Sequence, residues 1–135
     1  MNLREREREL VDRYDIISDK HERLNALVGH QMKLGELPVA ERADALLVQG
    51  CVSRVWLKLQ ITDGNLRISY AAESVLVKGL VALLVEIYQG AEISEAADYS
   101  PTLLESLGLD QMLSATRLQG LQSVIRQIRN AAHVD

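Results

Sequence analysis

The stretch VWLKLQITDGNLRISY, residues 55–70, decides the fold of this chain. Apolar and polar residues alternate on both sides of Asp63-Gly64, a pair that favours a tight two-residue hairpin turn. With the first strand predicted over 52–61, that turn pairs positions whose numbers sum to 127. The facing residues are then all apolar: Ile61 with Leu66, Leu59 with Ile68 and Leu57 with Tyr70. Because they share one side of the ribbon, the pattern and the turn specify the same register.

Helices are predicted on both sides of this hairpin. The segment from Ser74 to Tyr88 is apolar around nearly its whole circumference, which is typical of a helix at the centre of a core. Further helical patterns occur at 3–17, 19–34, 94–98, 101–107 and 116–132. Ahead of Gly50, the run Leu46-Leu47-Val48 predicts a third short strand.

Length and charge bound the class of protein. A chain of 135 residues predicts a single domain over 1–135 that needs no disulfide or metal to be stable. A net charge of −4 excludes the basic footprint of a nucleic-acid-binding protein. The longest apolar run, Leu80–Val85, is too short to span a membrane, and residues 1–9 lack the apolar core of a signal peptide. A lone thiol without an export signal predicts a cytoplasmic location.

Cys51 is the one cysteine, so it cannot form an intramolecular disulfide or a cysteine-rich zinc site. It follows Gly50 at a predicted loop-to-strand junction, where reactive groups are often presented. A buried structural cysteine is an equally common outcome, and the local sequence leaves both interpretations open. No histidine (His21, His30 or His133) stands near it in sequence, and none has the spacing of a metal site.

Several ordered motifs around Cys51 resemble the SufE family of cysteine-desulfurase partners. The segment Gly50–Leu57 is similar to the family signature G-C-x-S-x-V-W. Further matches are Leu37-Pro38, the Asp63-Gly64 turn, Val77–Leu83 against I-V-K-G-L-x-A, and Gly108-Leu109 with 113–121 against G-L…L-S-P-S-R-x-x-G-L. The resemblance extends over nearly the whole chain from residue 20 onward.

The resemblance implies an α+β fold with a small antiparallel three-stranded sheet and helices packed against it, in agreement with the periodicity. It implies that Cys51 accepts persulfide sulfur from a pyridoxal-phosphate cysteine desulfurase, stimulates that enzyme and passes the sulfur to an iron–sulfur scaffold protein. No cofactor or metal is expected on this chain, since the pyridoxal phosphate belongs to the partner. The family tucks its cysteine loop against an apolar cavity. Arg117 matches the family arginine and is expected near that loop, favouring thiolate, and Gly50 is the expected hinge.

The chain departs from the family pattern around the predicted site. Val52 and Arg54 stand where polar residues are usual, Ala71-Ala72-Glu73 replaces an acidic D-S-D segment, and Ala115 replaces a proline. These changes leave the choice of partner more open than the chemistry. The rival hypothesis is a noncatalytic interaction module that regulates a partner, with Cys51 incidental. A stand-alone cysteine hydrolase or peroxidase is disfavoured, because no base accompanies the thiol in sequence.

Overall fold

The hairpin forms with the predicted register. In the computed structural model of the chain, which describes residues 1–30 and 35–133, strand β1 (Val55–Thr62) pairs antiparallel with strand β2 (Asn65–Ala72). The three apolar pairs face each other as expected. Asp63 and Gly64 have φ values of 52° and 78°, the left-handed conformation that a tight turn between twisted strands requires at both positions.

The prediction of a third strand at Leu46–Val48 is wrong, because the sheet formed by the described residues has two strands. Leu47 makes only an isolated antiparallel bridge to Trp56, and the Val48 N–H donates to the Val55 carbonyl at 2.8 Å. The chain has no room for a longer pairing. A 3₁₀ turn at Asp44–Leu46 comes just before these residues, and Gly50, with φ at 88°, turns the chain just after them.

Helices cover the hairpin and enclose one main core. In chain order they are α1 (Leu3–Asp15), α2 (Lys20–Val28), α3 (Val75–Tyr88), α4 (Ile93–Asp98), α5 (Leu103–Ser106), α6 (Leu109–Met112) and α7 (Ala115–Ala132), with a further 3₁₀ turn at Val39–Glu41. Helix α2 ends at Val28, earlier than predicted, and the remaining predicted residues 31–34 lie outside the described part of the chain. Strand β1 likewise begins at Val55 rather than Val52, because residues 52–54 still belong to the loop that follows Gly50.

Helix α3 lies at the centre, as its composition predicts. Ser74 caps it by accepting a hydrogen bond from the Val77 N–H, and α1, α2, α7 and β2 all pack against it. Gly79 permits the contact with α2. A β-carbon at this position would lie 2.7 Å from the Val28 carbonyl oxygen, closer than such atoms approach. The two backbones can therefore meet only because Gly79 has no side chain.

Helix α7 closes the fold and carries the residues that matter for the site. Ser114 caps its N-terminus by accepting from the Arg117 N–H, and its apolar stripe is buried: Leu121, Val124, Ile125 and Ile128. It packs on α3, α4 and β1, so its first turns lie beside the loop that enters the hairpin. Within the described residues, no helix has both the length and the apolar character needed to cross a membrane.

Candidate functional site

Cys51 lies in the loop between Val48 and β1, and this loop packs against helix α7. Its side chain is half-buried. The thiol is positioned to donate to the backbone carbonyl oxygen of Gly120, with 3.6 Å between sulfur and oxygen. That distance suits a sulfur donor, which forms longer and weaker hydrogen bonds than nitrogen or oxygen does. The loop therefore presents Cys51 toward the helix rather than toward solvent.

Gly50 allows the loop to reach this position. Its φ of 88° lies in the left-handed region that glycine adopts without steric cost. A β-carbon at Gly50 would also lie 3.1 Å from the Ser123 Oγ, so the loop passes close to α7 there. The backbone conformation thus favours glycine directly before the cysteine, and the close approach to α7 adds to this preference.

A small apolar cavity of about 70 Å³ adjoins the thiol. Val77 of α3 and Leu121 and Val124 of α7 form part of its wall, and Val52 and Arg117 are also among its lining residues. A cavity needs roughly 10–15 Å³ of free volume, measured in the same way, to hold one water molecule. It therefore has room for an additional sulfur atom attached to Cys51.

The site keeps the resting thiol protonated. Burial raises the pKa of Cys51 above its ordinary value, because a desolvated thiolate is less stable than a neutral thiol. Arg117 lines the same cavity, but burial and not the Arg117 charge is the cause of this shift in the pKa of Cys51. That Arg117 favours the thiolate stays a prediction. The Arg117 side chain makes no ion pair with any described carboxylate.

The surface near the cavity combines exposed valine side chains with an arginine that forms an ion pair with a glutamate. Val52 and Val75 are 75% and 68% exposed. Arg54 pairs with Glu73 at 3.5 Å, and both side chains are largely solvated. Ala71, expected to belong to this rim, is instead 1% exposed and packs in a separate apolar cluster behind the hairpin with Leu37 and Trp56. The expectation for Ala71 is therefore wrong, because strand β2 turns that side chain away from the cavity.

No acid–base partner accompanies Cys51. The residues that line its cavity include no histidine, aspartate or glutamate. His21 and His133 are exposed, while His30 is held between Tyr14 and Glu86, both at 2.5 Å. The described part of the chain contains no cluster of three histidine, cysteine or carboxylate side chains suited to a metal ion.

Two residues that shape the site were not among the predicted site residues, although Gly120 lies in the matched segment 113–121. Gly120 and Ser123 contact the cysteine loop from α7. A glycine inside a strongly periodic helix was the available signal for Gly120, because glycine is unfavourable there and usually marks a close contact.

Comparisons with known proteins find relatives of this chain. A family model described as "SufE: Fe-S metabolism associated domain" matches residues 8–132. The chain is 35% identical over 112 residues to the sulfur acceptor protein CsdE of Escherichia coli, covering 82% of this chain and 74% of that protein. It is 30% identical over 129 residues to an uncharacterised SufE-like protein of Rhizobium meliloti, covering 92% of each.

The fold also has a counterpart among solved structures. The solution structure of a hypothetical protein from Thermus thermophilus matches with a TM-score of 0.75, covering 94% of this chain and 93% of that one. The sequence identity is 17%, so this likeness concerns the fold alone.

Proposed function

The chain belongs to the SufE family, and from this premise we propose that it accepts sulfur from a cysteine desulfurase and carries it as a persulfide on Cys51. It stimulates the desulfurase by removing that sulfur and then passes it to an iron–sulfur scaffold protein. The proposal is supported by the similarity to a protein named as a sulfur acceptor and by the one cysteine of the chain lying within the family signature. Since a lone thiol stays reduced in the cytoplasm, we propose the cytoplasm as its location.

The transfer step needs one thiol and no metal. The Cys51 thiolate attacks the terminal sulfur of the desulfurase cysteine persulfide, as in thiol–disulfide exchange. A new sulfur–sulfur bond forms at Cys51 while the original one breaks, and the desulfurase cysteine leaves as a thiolate. No electrons enter or leave the pair of proteins. The pyridoxal phosphate that first releases sulfur from free cysteine belongs to the desulfurase.

The observation that carries the proposal is the position of the sulfur between α7 and an apolar cavity. A half-buried, protonated thiol is a poor nucleophile, so the free protein is protected from side reactions. To reach a partner, the loop must leave the helix, and Gly50 tolerates the backbone change that this movement requires. After transfer, the adjoining cavity provides room for the terminal sulfur away from oxidants.

The test combines the protein with free cysteine and the cysteine desulfurase of the same organism. We expect the intact mass to increase by one sulfur atom at Cys51, and the desulfurase turnover to rise. Cys51→Ser should abolish both effects while retaining the native circular dichroism spectrum. If the serine variant stimulates the desulfurase as well as the wild type does, the acceptor role fails and the protein acts as an interaction module.

A further inference from the structure

Gly79 and Gly120 lie inside described helices, and they have different neighbours. Beside Gly79, the nearest atoms are backbone atoms of α2, so that glycine serves helix packing. Beside Gly120, the three nearest atoms to a β-carbon all belong to Cys51, with the sulfur closest at 3.1 Å. The space left by the missing side chain of Gly120 is therefore occupied by the cysteine of the loop.

The backbone at this position favours one protonation state of the sulfur. A neutral thiol can donate to the Gly120 carbonyl oxygen, as the 3.6 Å contact allows. A thiolate in the same place would face the negative end of that carbonyl dipole. The contact therefore retains the neutral, unreactive thiol and disfavours the nucleophilic form.

We infer that Gly120 is a positioning residue: its missing side chain provides the resting seat of Cys51, the space beside α7 that the sulfur occupies, and the size of residue 120 therefore sets the reactivity of this thiol in the free protein. The inference rests on the proposed function, because the reactivity of this thiol matters only if Cys51 accepts sulfur. The contact between Cys51 and Gly120 itself is a property of the free protein. It predicts that filling position 120 with the smallest side chain changes the reactivity of a residue 69 positions away.

The direct test is Gly120→Ala, measured by iodoacetamide alkylation of Cys51 without any desulfurase. Alanine is the better helix former, so α7 itself should tolerate the change. We expect the displaced sulfur to be alkylated severalfold faster at neutral pH, and the midpoint of its alkylation–pH profile to move to lower pH. Gly29→Ala is the matched control, because a β-carbon there meets ordinary contacts at 3.5 Å. An alkylation rate and pH profile equal to those of the wild type would overturn the inference.

A thermal double-mutant cycle tests the same contact without relying on reactivity. In a Cys51→Ala background, Gly120→Ala should raise the melting temperature, since the sulfur that opposes the new methyl group is gone. In the wild-type background the gain should be smaller or reversed. Equal shifts in both backgrounds would overturn the inference. If Gly120→Ala alone does not fold, rescue by Cys51→Ala supports the seat, and lack of rescue assigns the glycine another role.

These measurements separate the inference from the proposed function. Alkylation and melting concern the free chain, whereas sulfur acceptance requires the desulfurase. If Gly120→Ala changes alkylation and melting as expected but the protein takes up no sulfur, only the proposed function is contradicted. A normal sulfur acceptor with an unaltered Gly120→Ala alkylation profile would contradict the inference alone.

Discussion

The sulfur of Cys51 lies 3.6 Å from the carbonyl oxygen of Gly120, although 69 positions separate the two residues in the chain. This contact joins the loop that enters the hairpin to the C-terminal helix. It is a single weak hydrogen bond supplemented by apolar packing, so a partner that binds the loop more favourably can break it. In the free protein, Cys51 therefore rests against α7, and binding of a partner can displace it.

The pH dependence of stability should reveal the burial of Cys51. Its pKa is raised above the ordinary value of 9.0 by desolvation, so the unfolded thiol loses its proton first as pH rises. The contribution of the protonated Cys51 thiol to the free energy of unfolding is therefore fully present at neutral pH and is lost above roughly pH 9. We expect the stability difference between the wild type and Cys51→Ala to decrease from pH 7 to pH 10, measured by urea unfolding. A constant or increasing difference would contradict the burial of the thiol.

Arg117→Ala should lower sulfur transfer severalfold while leaving the melting temperature nearly unchanged. Its side chain is exposed and unpaired among the described residues but lines the cavity beside Cys51, where a cation favours thiolate once the loop moves. The measurement is the initial rate of Cys51 persulfide formation with the desulfurase. Arg8→Ala, an equally exposed arginine on α1, is the charge-matched control. Equal losses in both variants would indicate a general charge effect.

Gly79→Ala should destabilise the fold, unlike most glycine-to-alanine changes in helices. The helix propensity gain is about 1 kcal/mol. The new β-carbon would lie 2.7 Å from the Val28 carbonyl oxygen, and overpacking of this kind typically costs about 1–3 kcal/mol. We expect a net decrease in the free energy of unfolding, measured by urea denaturation. An increase would mean that α2 can shift away from α3 freely.

His30 should contribute to stability through its two ring nitrogens. In the neutral ring, Nε2–H donates to the Glu86 carboxylate and Nδ1 accepts from the Tyr14 hydroxyl, both at 2.5 Å. His30→Phe leaves the largely buried Tyr14 hydroxyl without this contact, and a buried unsatisfied group costs about 1–3 kcal/mol. The Glu86 carboxylate is 33% exposed, so water can replace its contact at a smaller cost. We expect a lower midpoint of urea unfolding.

The exposed His21 provides the comparison, since His21→Phe should have little effect. If both phenylalanine variants unfold at the wild-type midpoint, the contacts that join His30 to α1 and α3 carry no net stability.

Local sequence chemistry predicted much of this protein. Alternation in 55–70 and the Asp63-Gly64 turn specified the hairpin register, because side-chain period and turn geometry act over neighbouring residues. The apolar composition of α3 predicted its central place for the same reason. The motifs around Cys51 likewise identified the family, since each of them occupies a short continuous segment.

Other features depend on contacts between residues far apart in sequence. Leu46–Val48 has the composition of a strand, yet the 3₁₀ turn that includes Leu46 and the turn at Gly50 leave it a single bridge. Ala71 pairs with Trp56 on the face of the hairpin opposite Tyr70, and the packing of Leu37 on that face forms an apolar cluster separate from the cysteine cavity. The sequence by itself determined which thiol is available and which elements surround it. Only the tertiary structure decided that this thiol rests against Gly120, because the missing side chain of one residue makes room for another 69 positions away.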